Sequence, residues 1–305
     1  MLPLFLTLKE NISMKTIILL ISVLSFSAQA ENILNIYVAP PEQNLDWSSP
    51  GSLYRSMIKS RIFMSKRPYG SAGADLVCGN NTYSISADAE SFDVTGPVVF
   101  GGKGLGHLYS AHPGILLTGE KAVAKNKEVI NSPGARFITF LINDGHCLRI
   151  KTYWEEFEKH KIAKNFGLPH RPLMGEGTTD TSLIVNSLDV AGLLVPDQRE
   201  KWDHTLYLPK KLSGAPLSDE YISIFSLMAG DWGKHSDDSI TLHFWDPKLI
   251  ADWIDQQIAT KRTLRKLSDN TKGIPGIEFD LKRLPAPQGN FWEQANDSTY
   301  SKKKN

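Results

Sequence analysis

Apolar and polar positions recur along the chain with two periods, and these set most of its expected elements. Ile33-Leu34-Asn35-Ile36-Tyr37-Val38 is a run closed by Pro40-Pro41 and predicts a strand. Between Ser49 and Arg61, Leu53, Met57 and Ile58 fall about a helical turn apart, and Pro50 suits a first turn, so a helix is expected there. Residues 74–100 predict β structure, broken by a turn at Gly79-Asn80-Asn81, with Pro97-Val98-Val99-Phe100 leading into a glycine-rich bend. Further strands are expected around 107–111 and 115–118, and another over 136–142 after the Pro133-Gly134 turn.

A helical period follows. With Asn143 or Asp144 as its cap, a helix to about His160 places Cys147, Ile150, Tyr153, Trp154 and Phe157 on one stripe and Arg149, Lys151, Glu155, Glu156 and Lys159 on the other side. Asp180 is the expected N-cap of a second helix through Val190, stopped by Gly192. A strand over 204–208, a segment of mixed character over 217–227 and a helix opening at Asp246-Pro247 complete the pattern. Together these predict an α+β fold: a mainly antiparallel sheet packed by amphipathic helices, with a C-terminal helical addition. The expected organisation is a single globular domain over 31–285 and a polar C-terminal tail over 286–305.

The N-terminal pattern is of another kind. Met14-Lys15 opens a charged segment, residues 16–26 are almost entirely apolar, and Ala28-Gln29-Ala30 has the small-x-small form that precedes signal cleavage. We therefore expect translation to start at Met14, export to the periplasm or medium, and a mature chain from Glu31. The apolar core is shorter than the ~20 residues of a membrane span, so no stable span is expected after cleavage. A hydrophobic fraction of 41% suffices for a large core, and a formal charge of +1 offers no general attraction for nucleic acid.

Four residues carry the candidate chemistry. His107 stands where the run Gly101-Gly102-Lys103-Gly104-Leu105-Gly106 gives way to an expected strand, and its imidazole could serve as a base. That run has neither the GxxxxGK[ST] nor the GxGxxG order of phosphate loops. Cys147 falls in the first turn of its helix, where backbone N–H groups favour thiolate. It also lies on the apolar stripe of a structural thiol, and in an oxidising compartment it could pair with Cys78. Glu176 and Asp180, in Gly175-Glu176-Gly177-Thr178-Thr179-Asp180, could act as acid, base or orienting carboxylate, while Asp180 also serves as a plain cap. The acid- and histidine-bearing segments around Asp231, His235, Asp237 and Asp238, and around His243 and Asp246, lack metal-ligand spacing, so no metal and no cofactor are expected.

A strand carrying Gly106-His107 ahead of a cysteine at a helix start resembles the circularly permuted NlpC/P60 group of papain-like proteins, over about residues 95–195. The resemblance implies a papain-like core with His107 as base and Cys147 as nucleophile. It also implies hydrolysis of an amide or ester bond in peptidoglycan peptides or lipids. In a second alignment Gly175-Glu176-Gly177 introduces the nucleophile helix, and the cysteine position falls among Thr178, Thr179 and Asp180. That alignment implies a noncatalytic periplasmic binding or envelope-associated protein with a degenerate papain-like site, holding a peptide, glycan or lipid.

Overall fold

A computed structural model of the chain describes residues 31–292, apart from 66, 91–92, 94, 169–170, 215–217, 219 and 261–272. The signal segment expected over 14–30 and the end of the expected tail lie outside the described residues. In chain order the elements are β1 (Asn32–Ala39), α1 (Pro50–Ile62), β2 (Ser71–Cys78), β3 (Asn81–Ala89), α2 (Gly96–Val99) and a 3-10 turn over Leu105–Tyr109. They continue with β4 (His112–Thr118), α3 (Gly119–Ile130), β5 (Arg136–Ile142), α4 (Asp144–Lys159), β6 (Asn165–Phe166) and α5 (Asp180–Val190). The C-terminal part holds α6 (Pro196–Trp202), β7 (Asp203–Pro209), α7 (Lys210–Ser213), α8 (Ile224–Met228), β8 (Ser239–Trp245), α9 (Pro247–Ala259) and β9 (Gly276–Asp280).

Seven strands form one sheet in the order β6-β4-β3-β2-β1-β5-β9, antiparallel throughout except for the parallel β5–β9 pair. The α+β class with a mainly antiparallel sheet is therefore the observed one. Alternation along β1 explains the layering. Leu34, Ile36 and Val38 enter the larger core with Ile138 and Phe140 of β5, under Ile150 and Phe157 of α4, Leu183 and Leu188 of α5, and Ile250 and Ile254 of α9. Tyr37 and Ala39, on the other face, meet Val129 and Ile130 of α3. Each wholly buried side chain of this size stabilises the fold by about 1.5–3 kcal/mol.

A third cluster joins α1, the 3-10 turn and the β7–β8 ribbon through Leu53, Met57, Leu105, Leu108, Leu208 and Leu242. The chain after α5 is thus more than a helical addition: it contributes a ribbon, and β9 returns to the edge of the main sheet. The expected tail also begins with packed residues, because the Phe291 and Trp292 rings stand 5.6 and 6.0 Å from that of Tyr153. Among the described residues no helix is long and apolar enough to cross a membrane.

Candidate functional site

The start of α5 is built by hydroxyls. Thr179 is its N-cap: the Thr179 Oγ1 accepts from Ser182 N at 3.0 Å, and Ser182 Oγ accepts from Thr179 N at 2.7 Å. The reciprocal box moves the cap one residue ahead of the expected Asp180, which becomes the first helical residue. Asp180 is thereby released to reach the sheet. Its Oδ2 accepts from Ser71 Oγ at 2.7 Å and from Ala72 N at 2.9 Å, while its Oδ1 accepts from Thr181 N at 2.6 Å. Burial pushes the Asp180 carboxyl above the usual carboxylate range, and the bonds from Ser71 and Ala72 pull it back.

This clasp forms one wall of a pocket of about 80 Å3, at the ends of β2 and β3 where the chain turns into Ser71. Gly70 makes that turn at φ +80, with Ala39 O and Pro247 packed so close that a side chain would collide with them. Tyr69, Leu108, Phe166, Leu168, Trp245 and Pro247 give the pocket apolar walls; Arg67, Asp88, His112, Lys125 and Thr181 add polar groups. The charges are already matched: Lys125 Nζ lies 2.5 Å from Asp88, and Arg67 lies 3.1 Å from Glu42. Two donors of the lining side chains, Arg67 Nε and the Tyr69 hydroxyl, are buried without a protein partner among the described residues. Burial, with Tyr109 and Asp93 nearby, raises the Tyr69 pKa, so the phenol stays protonated.

The structure does not bring His107 and Cys147 together. His107 lies in the 3-10 turn rather than on a strand, and its ring meets that of His112 edge-on at 4.7 Å. Burial, then His112 and Lys103, lower the His107 pKa. His112 Nε2 donates to the His107 carbonyl at 2.8 Å, so that nitrogen holds its proton and is no base.

Cys147 is bonded to Cys78 in a disulfide. Cys78 ends β2 at the opposite end of the strand from Ser71, and seven residue steps at ~3.3 Å separate the disulfide from the pocket by roughly 23 Å. The sulfur expected as a nucleophile is therefore a crosslink, at the wrong end of the strand for the imidazole at 107. Glu176, expected as acid or base, instead receives Arg171 Nε at 2.9 Å and Arg171 N at 3.2 Å, bracing the loop into α5. Of the four expected residues, Asp180 alone lines the pocket.

The sequence reading missed Ser71, Arg67, Tyr69, Phe166, Leu168 and Trp245. They come from three separated segments with no spacing that would connect them, and only the pairing of β2 with its neighbours and the return of α5 onto it assemble the group. The histidine and acid groups near the ribbon have local uses: His243 Nδ1 meets Asp203 at 3.1 Å, and Asp246 caps α9 by accepting from Lys248 N at 2.8 Å. Among the described residues no three His, Cys, Asp or Glu converge as metal ligands. Comparison with protein-family models, curated proteins and solved structures found no match to this chain.

Proposed function

We propose that this chain is an exported, noncatalytic binding protein whose pocket beside Asp180 holds a small neutral ligand with an apolar body and a hydrogen-bond acceptor. One observation carries the reading: the pocket combines apolar walls with Ser71, Thr179, Asp180 and His112 groups that are already bonded to neighbouring protein groups, and its lining contains no thiol. Ser71 donates its proton to Asp180, the Thr179 hydroxyl serves the helix cap, and His112 Nε2 donates to a carbonyl. Nucleophilic catalysis requires a nucleophile within hydrogen-bond reach of a base that can accept its proton.

The ligand class follows from charge and from the two buried donors. With Lys125 matched by Asp88, Arg67 by Glu42, and Asp180 surrounded by donors, a charged ligand would enter without a counter-charge, whereas a neutral one costs little desolvation. Arg67 Nε and the Tyr69 hydroxyl are covered by neighbouring side chains and lack a partner among the described residues, so an acceptor such as a carbonyl would bond to them by displacing that cover. The start of α5 carries Thr178, Thr179 and Asp180 where a papain-like enzyme of the second alignment would carry its cysteine, which fits a degenerate member. The leader-like residues 14–30 support export.

Calorimetric titration with N-methylbenzamide, a neutral amide on an apolar ring, tests the proposal. The protein should bind it, and Leu168→Trp, which fills the pocket from its wall, should weaken binding by about ten-fold, roughly 1.4 kcal/mol. Equal affinity in the variant, or cleavage of p-nitrophenyl acetate that Ser71→Ala abolishes, would overturn it.

A further inference from the structure

We infer that the face formed by α1, α8 and the segment around Phe100 is a docking surface for an anionic lipid membrane. Its apolar side chains stand out from the protein. Met64 is 86% exposed, Phe225 85%, Phe100 73% and Tyr221 73%, and Ile62, Phe63, Ile224 and Met228 are also exposed. With Phe63, which is 65% exposed, the four aromatic rings present roughly 500 Å2, already the size of the largest apolar patch on an ordinary monomer.

Direct contacts make this one face. The Arg61 guanidinium lies 5.9 Å over the Phe100 ring. Two residues on, Gly102 lies so close to the Tyr221 ring that any side chain there would overlap it, and Ile222 N donates to Gly102 O at 2.9 Å. From there the chain enters α8, whose Met228 carbonyl packs on Gly51 at the start of α1 and whose sulfur lies 3.9 Å from Arg55.

The charge on this face selects the occupant. Arg55, Lys59, Arg61 and Lys103 are interleaved with the apolar tips, and all four are exposed. The acids that reach it are Asp93, bound by Arg61; Asp46, whose carboxylate is held by Ser48 and feels the charge of Arg55; and Glu220. Lys59 and Lys103 have no ion pair among the described residues, and Arg55 meets Asp46 only at a distance longer than an ion pair, so the face turns positive groups outward in a chain of formal charge +1. Separate aromatic and aliphatic tips between Lys and Arg match the boundary of headgroups and acyl chains, where each tip is buried independently and each cation meets a lipid phosphate. A rigid protein partner would be matched by a continuous concave or flat surface.

Co-sedimentation with vesicles tests the inference, comparing phosphatidylcholine alone with phosphatidylcholine containing phosphatidylglycerol. Wild type and variants carry the same N-terminus, so any difference belongs to this face. Wild type should partition onto the anionic vesicles and be released by salt. Phe63→Ser/Phe225→Ser should bind on the order of ten-fold more weakly, and Arg55→Glu/Lys59→Glu should lose the preference for anionic lipid. Exposed positions leave the fold intact, so the variants should keep the thermal midpoint of wild type. Binding unchanged in both double variants, no wild-type binding, or self-association through Phe225 in place of lipid binding would each overturn the inference.

Discussion

At the residue scale, three side chains have consequences that can be measured. Cys147 is a crosslink: it closes a loop across 69 positions of sequence, and on the chain-entropy account the bond stabilises the folded state by about 4 kcal/mol. Cys78→Ser/Cys147→Ser should lower the free energy of urea unfolding by that order and leave N-methylbenzamide affinity unchanged. Tyr69→Phe removes one of the two unmatched donors while keeping the ring. It should leave toluene binding unaltered and weaken N-methylbenzamide about five-fold, near the ~1 kcal/mol of one neutral hydrogen bond. Its stability should not fall, because the hydroxyl has no partner to lose. His146, beside the disulfide, is wholly buried with both ring nitrogens unpartnered among the described residues, and burial lowers its pKa from the ordinary 6.5. The unfolded chain then binds a proton more readily than the folded one. This part of the stability is complete above pH ~6.5 and is lost as pH falls from there toward the lower folded value. His146→Phe should flatten the urea midpoint between pH 7.5 and 5.

At the element scale, α5 shows how local chemistry places a site. The Thr179–Ser182 box fixes the helix start, which leaves the Asp180 carboxylate to bridge to β2. Thr179→Ala should cost about 1 kcal/mol of unfolding free energy, the worth of a cap, whereas Ser182→Thr should cost less by retaining the hydroxyl. Elements with strong periodicity were legible in the sequence. β1, β5, α1, α4 and α9 follow their expected patterns, and Asn143 caps α4 as one of the two expected residues. Helix α3 escaped because its buried stripe is weak: Ala122, Asn126, Val129 and Ile130, with Asn126 facing inward to donate to Ala74 O at 3.0 Å and Asp75 at 2.9 Å. The turn at His107 was misread as strand because Leu108 and Tyr109 are apolar, and both are buried in a 3-10 turn beneath the ribbon rather than in a sheet.

At the scale of the molecule, the two ends of β2 separate the disulfide from the pocket. One end is tied to α4 by Cys78–Cys147, and the other opens into the pocket through Ser71. The sequence supplied every group on both ends, yet only strand register shows that they are a strand's length apart. The first alignment with papain-like proteins selected the start of α4, which the disulfide ties to the far end of β2, whereas the start of α5 is the one that lines the pocket. Asp180 was legible because a helix entry rich in hydroxyls and acids is a local pattern; Arg67, Tyr69 and Trp245 were not, because their convergence is purely tertiary.

The most direct measurement is an NMR titration of the protein with N-methylbenzamide, following the amides of Ser71, Ala72, Asp180 and Thr181 and the Trp245 indole, with Cys78 and Cys147 as distant reporters. The account predicts saturable shifts confined to the first group, with the amide recovered intact. Shifts centred on Cys147, or methylamine released in a reaction that Cys147→Ser stops, would contradict it.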